Sequence, residues 1–203
     1  MTPSEIQHHS IVEGILNGIS YSTYRTLVKT LAQNGETTGK DPSEALINYT
    51  KLNDKRMDRL DKTIEIPAEA AEKIKAFDKN MTWLILTESW CGDAAQTLPV
   101  IHKVAQLNMN IDVRLVFRDE NEALMNQFLT RGTRSIPKLI MIANETATVL
   151  RTWGPRPSKA TKMVKEFKRT HGKLTPEFKQ ELQLWYNRDK GKNTLKDLLK
   201  LLS

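Results

Sequence analysis

The chain has 203 residues, 39% hydrophobic and 27% charged, enough to bury a sizeable core as one domain with additions or as two small ones. No apolar run approaches the ~20 residues that span a bilayer, the single cysteine argues against a disulfide-stapled secreted domain, and Met1–Ser10 is polar where a secretory signal would be apolar, so the expected compartment is the cytoplasm. The formal net charge of +7 is unevenly spread: residues 1–157 are close to neutral, and residues 158–203 hold 12 Lys/Arg against 5 Asp/Glu. In chain order, residues 6–33 read as helical, with Ile11, Ile15, Ile19, Leu27, Val28 and Leu31 on an apolar stripe that Gly14 and Gly18 interrupt. After a loop at Asn34–Gly39, Asp41-Pro42 with Glu44 resembles a capped helix start, and that helix runs to about Leu60 with Leu46, Tyr49, Leu52 and Met57 inward.

Thr63–Ile66 reads as a short strand ended by Pro67, and Ala68–Phe77 as a helix. Met81–Thr87 is a buried central strand, Gly92–Gln106 a helix holding Pro99, Ile111–Phe117 an alternating strand and Asn121–Leu129 a helix. Lys138–Ile142 and Thr146–Thr152 follow as strands joined by a tight turn, and Ser158–Thr170 as a basic helix. Pro176–Tyr186 and Thr194–Leu202 complete the chain as amphipathic helices, with Phe178, Leu182, Leu184, Trp185, Leu195 and Leu198 available to cover the core or a second subunit.

Trp90-Cys91-Gly92-Asp93-Ala94 lies between the apolar strand and the following helix. A cysteine at a helix N-terminus feels the positive end of the dipole and unpaired backbone N–H groups, which favour the thiolate. The segment resembles the Trp-Cys-Gly-Pro-Cys site of thioredoxins. Pro99, eight residues after Cys91, matches that family's helix proline, and Arg131–Pro137 resembles its cis-proline loop, with Gly154 where the last strand usually ends. The resemblance covers residues 63–170 and implies an α/β thioredoxin-like domain, a central mixed sheet flanked by helices, with helical extensions at 1–62 and 171–203. It implies a catalytic Cys91 and a substrate surface formed by Trp90, Gly92, Asp93, Ser135, Ile136 and Pro137, the last in cis.

The departures bear on activity. Ala94 stands where the resolving thiol would be, so a mixed disulfide on Cys91 needs an external thiol for release. Ile85 stands where thioredoxins carry a buried acid, and Ile111–Phe117 offers no companion lysine. Cys91 therefore has three readings: a nucleophile forming mixed disulfides, a remnant at a site now used for binding, or a small buried residue. Asp93 either caps the helix start or raises the Cys91 pKa, and Trp90 either meets a substrate or packs. Arg134 and Lys138 flank the Ile136-Pro137 loop and suit an anionic partner or a solvated surface.

The preferred expectation is monothiol redox or thiol-disulfide exchange through Cys91, with a protein or low-molecular-weight thiol/disulfide as partner. The alternative is a non-catalytic binding or chaperone-type module. The scattered histidines lack metal-ligand spacing, no nucleotide loop appears, and the sequence implies neither metal nor cofactor. The basic tail reads as a solvated helix surface rather than a nucleic-acid or membrane site.

Overall fold

The computed structural model describes residues 2–203. Strand β1 (Met81–Thr87) lies inside the sheet, parallel to β2 (Ile111–Phe117) and antiparallel to β3 (Lys138–Ala143), which pairs antiparallel with β4 (Thr148–Trp153). The sheet order is therefore β2-β1-β3-β4. All seven residues of β1 are buried, Thr82 and Thr87 included, as suits a strand covered on both faces. The short α4 (Ala68–Lys75) precedes β1, and α5 (Gly92–Ala105) follows it and packs beside α3 (Glu44–Thr63) and α9 (Lys192–Leu201). Helix α1 (Pro3–Asn17) lies against β1, β2 and the short α6 (Glu122–Gln127). The result is the mixed sheet flanked by helices expected of a thioredoxin-like α/β fold.

Three local expectations are corrected. The N-terminal stripe is two helices, α1 and α2 (Tyr21–Asn34), separated at Gly18–Ser20. Ile19 pairs with Leu115 at the edge of β2 through two 2.9 Å backbone bonds. The chain comes so close there that a Cβ on Gly18 would lie 2.7 Å from Arg114 Cβ. Ser20 then caps α2 by accepting the Thr23 N–H. Thr63–Ile66 is not a strand, because the Ile64 N–H closes α3 on the Leu60 carbonyl and Ile64 is spent on the core.

The third correction concerns α3. Ser43, not Asp41, caps it by accepting the Leu46 N–H. Its buried residues are Thr50, Asn53, Met57 and Leu60, whereas Tyr49 and Leu52 are exposed. The apolar pattern misled because α3 faces a polar turn: Thr50 and Asn53 hydrogen-bond to Ser89.

The C-terminal helices form a second small core. Ala160 and Val164 of α7 (Ser158–His171) pack with Phe178, Leu182 and Tyr186 of α8 (Pro176–Asp189), while Leu195 and Leu198 of α9 join the main core. Leu184 faces solvent. Lys159, Lys162, Lys165, Lys168 and Arg169 form an exposed basic face on α7. Among the described residues, no helix is long and apolar enough to cross a membrane, and no cluster of His, Cys, Asp or Glu could hold a metal ion.

Candidate functional site

The end of β1 leads through Glu88-Ser89-Trp90 into Cys91, the N-cap of α5. Helices α2 and α3 fix this turn. Asn53 Nδ2 donates to the Ser89 carbonyl at 2.8 Å, Thr50 and Ser89 share a hydroxyl bond of 2.9 Å, and Tyr24 Oη donates to the Glu88 carbonyl at 3.3 Å. The Cys91 thiol donates to the Ile136 carbonyl at 3.4 Å, and its sulfur accepts the Ala94 N–H at 3.4 Å. The Ile136–Pro137 and Gly154–Pro155 peptide bonds are both cis. Gly154 has φ +113°, and a Cβ there would lie 2.2 Å from the Pro137 carbonyl oxygen, so only glycine fits.

Asp93, in the first turn of α5, is buried between two partners. Arg156 Nη2 lies 2.6 Å from Oδ2, and Tyr186 Oη donates to Oδ1 at 2.9 Å. Burial raises the Asp93 pKa, and Arg156 and Tyr186 oppose that rise. The Cys91 thiol is pushed up to about 12, first by burial and then by the Asp93 charge; the Ala94 and Asp93 N–H groups and Arg156 act the other way. The thiolate expected from the helix dipole is thus overruled by desolvation.

A cleft of about 680 Å³ opens over this turn. Trp90, Cys91, Gly92, Asp93, Ser135 and Ile136 all contribute to its lining. Pro137 and Lys138 do not: the Pro137 carbonyl lies against Gly154, and Lys138 is buried at the start of β3, its pKa lowered by desolvation. Arg134 does line the cleft and is held by Asn126 Oδ1 at 2.9 Å.

A family model described as thioredoxin matches residues 39–168. The chain belongs to the thioredoxin family. Its fold also resembles the crystal structure of a protein of unknown function from Pseudomonas aeruginosa, at TM-score 0.63 and 15% identity over 94% of this chain and 95% of that one. An HIV epitope-scaffold is similar at TM-score 0.61 and 15% identity, over 94% and 96% of the two chains. No curated protein matches the sequence.

On this thioredoxin-family scaffold, several side chains at the cleft have no counterpart in the motif reading. Arg156 comes from the Gly154-Pro155-Arg156-Pro157 turn, whose glycine and paired prolines are a local sign of a fixed side chain. Gln183 comes from α8 and Arg56 from α3, and Tyr186 of α8 lies behind the cleft wall against Asp93; only the tertiary fold brings them together, and no local signal marks them. A buried acid is also present after all. Glu88, three residues before Cys91, accepts the Asp119 N–H at 3.0 Å, and burial raises its pKa. His102 takes no part, being stacked on Tyr21 with ring centroids 4.2 Å apart.

Proposed function

We propose that this thioredoxin-family protein is a binding module whose cleft presents Cys91 as a protonated thiol, not as a resting thiolate nucleophile. The observation that carries the reading is the state of the sulfur: buried, donating to the Ile136 carbonyl, and pushed up to about 12. A thiol attacks through its thiolate, so at neutral pH almost none of the reactive form is present. Trp90, Gly92, Asp93, Ser135 and Ile136 form the contact surface, and the free thiol suits the cytoplasm.

The test is the pH dependence of Cys91 alkylation by iodoacetamide in the native protein. The rate should still be climbing above pH 9, the ordinary thiol value. A plateau with a midpoint below about 8, under the range of an ordinary cysteine, overturns the reading.

The second reading is monothiol exchange, favoured by the place of Cys91 on the cleft wall and by the pull of Arg156 and the Ala94 N–H on its charge. In that reaction the Cys91 thiolate attacks a disulfide, a mixed disulfide forms and one thiolate leaves. An external low-molecular-weight thiol then attacks the mixed disulfide, releasing the substrate half as a thiol and becoming bonded to Cys91. A second external thiol frees Cys91 and leaves as the oxidised disulfide. Mass spectrometry of mixed disulfides trapped on Cys91 in cell extract separates the two readings.

A further inference from the structure

Two hydrogen-bond donors from opposite ends of the chain meet above Gly92. A Cβ built there would lie 3.4 Å from Arg56 Nη1 and 3.4 Å from Gln183 Nε2. Arg56 belongs to α3 and Gln183 to α8, and both line the cleft beside Cys91. Gln183 Oε1 is occupied, accepting from Gln96 Nε2 at 3.0 Å, which leaves its amide N–H groups for the cleft. Arg56 Nη1 donates to Asn53 Oδ1 at 2.9 Å, and among the described residues no carboxylate lies within ion-pair distance of it.

The wider cleft repeats this imbalance. Arg56, Arg118, Arg134, Arg156 and Lys179 line it, and among the described residues Asp93 is its only carboxylate, already engaged by Arg156 and Tyr186. Arg156 Nε is buried without a partner. Arg118, over the Trp90 ring at 4.9 Å, is paired with Asp119 at 2.7 Å, and Arg134 lies 3.6 Å from Glu122, so Arg56 and Lys179 are the lining cations that have no carboxylate partner among the described residues. An anion that enters beside Arg56 takes charge-assisted hydrogen bonds that no carboxylate of the described residues supplies there. The remaining walls, with Leu46, Tyr49, Trp90, Ile136, Pro155 and Leu182, are apolar. A volume of about 680 Å³ is the size of a small-molecule site.

We propose that this cleft binds a small organic anion, its carboxylate or phosphate held by Arg56 and Gln183 above Gly92 and its apolar body lying along Trp90 and Ile136 towards Cys91. The proposal rests on the cleft's being a binding site and names the class of its ligand. It also gives the helical additions a role: α3 and α8 supply the anion contacts, and the turn between β1 and α5 supplies the floor.

The experiment uses the full chain at low ionic strength and three probes of similar size: phenyl phosphate, 3-phenylpropionate and the neutral 3-phenylpropionamide. Binding is read by calorimetry and by ligand-observed NMR. At least one anion should bind about tenfold or more tightly than the amide, and the better anion identifies the headgroup. Arg56→Gln should weaken that anion about tenfold, and Arg56→Lys should recover part of the loss. Lys165→Gln removes the same charge from an exposed position on α7 and should leave binding unchanged.

The proposal is overturned if the amide binds as well as both anions, if neither anion binds, or if Lys165→Gln weakens binding as much as Arg56→Gln. Failure here with Cys91 alkylation still climbing above pH 9 would remove the anion assignment alone. A low alkylation midpoint with anion binding intact would remove the protonated-thiol reading alone.

Discussion

Tyr186→Phe tests how α8 is anchored to the cysteine turn. The substitution keeps the ring that packs with Ala160, Val164, Phe178 and Leu182, and removes only the hydroxyl that donates to Asp93 Oδ1 at 2.9 Å. A hydrogen bond to a charged acceptor contributes about 1.5–3 kcal/mol, and no water replaces this one readily, because both residues are buried. For a chain of this length that corresponds to a fall in melting temperature of about 3–12 °C. The loss should depend on pH. Burial raises the folded-state pKa of Asp93 above its ordinary 3.8, so its ionisation erodes stability as pH rises from that value through the folded one. Removing the Tyr186 donor raises the folded value further. The variant's penalty should therefore be larger at pH 7 than at pH 4, where a larger share of the carboxyl is protonated and the bond to it is between neutral groups. Calorimetric unfolding of both proteins at the two pH values measures this. A shift below 1 °C at pH 7, or an equal shift at both, would refute the argument that a charged Asp93 ties α8 to α5.

Above pH 9 the unfolded chain loses the Cys91 proton before the folded one does, so stability contributed by the protonated thiol is lost as pH climbs from 9 towards about 12. In denaturant titrations the wild type should lose stability relative to Cys91→Ser by up to about 1.4 kcal/mol per pH unit in that window, and parallel pH curves would contradict the buried-thiol assignment. Gly154→Ala should cost about 2–4 kcal/mol or prevent folding, since its Cβ would lie 2.2 Å from the Pro137 oxygen at φ +113°; an unchanged denaturation midpoint would refute the packing argument. Insulin-type reduction coupled to a thioredoxin reductase should stay near background, because Ala94 cannot resolve a mixed disulfide, and sustained turnover would speak against both functional readings. Duplex DNA should bind the basic face of α7 only weakly and lose its grip as salt rises; binding that survives moderate salt would move the function towards nucleic acid.

What the sequence made legible was whatever short-range pattern determines. The apolar Trp83–Leu86 run read as part of a buried central strand, and the change to helix at Gly92 placed Cys91 at a helix start. The break at Gly18–Ser20 was harder to read, because the helical stripe continues across it and only contact with Leu115 of β2 interrupts the helix. The inward face of α3 misled for a related reason. Leu46, Tyr49 and Leu52 look like core residues, yet the helix turns Thr50 and Asn53 inward because the Ser89 turn needs hydrogen-bond partners. At the site, the turn itself was readable, whereas Arg56, Tyr186 and Gln183 lie far from Cys91 in sequence and carry no local signature.

Those distant residues bear on the chemistry more than the motif does. A helix N-terminus stabilises an anion by about 0.3–1 kcal/mol, and up to about 2 in favourable buried geometry. Full burial shifts a titrating group by as much as 3–5 pKa units, and each unit is worth about 1.4 kcal/mol. The two effects compete at Cys91, and burial wins, with Asp93 adding to it. Asp93 in turn owes its place to Arg156 and to Tyr186 of α8. Gly92, beside the sulfur, lies under Arg56 of α3 and Gln183 of α8. A thioredoxin-family turn exposed to solvent would leave the helix terminus to govern its sulfur. Here Arg56 and Gln183 of the extensions lie over that turn, and Tyr186 of α8 helps to hold the Asp93 carboxylate that raises the thiol. Any ligand that displaces Arg156 from Asp93 would change that balance directly, since the same carboxylate both binds the guanidinium and raises the thiol.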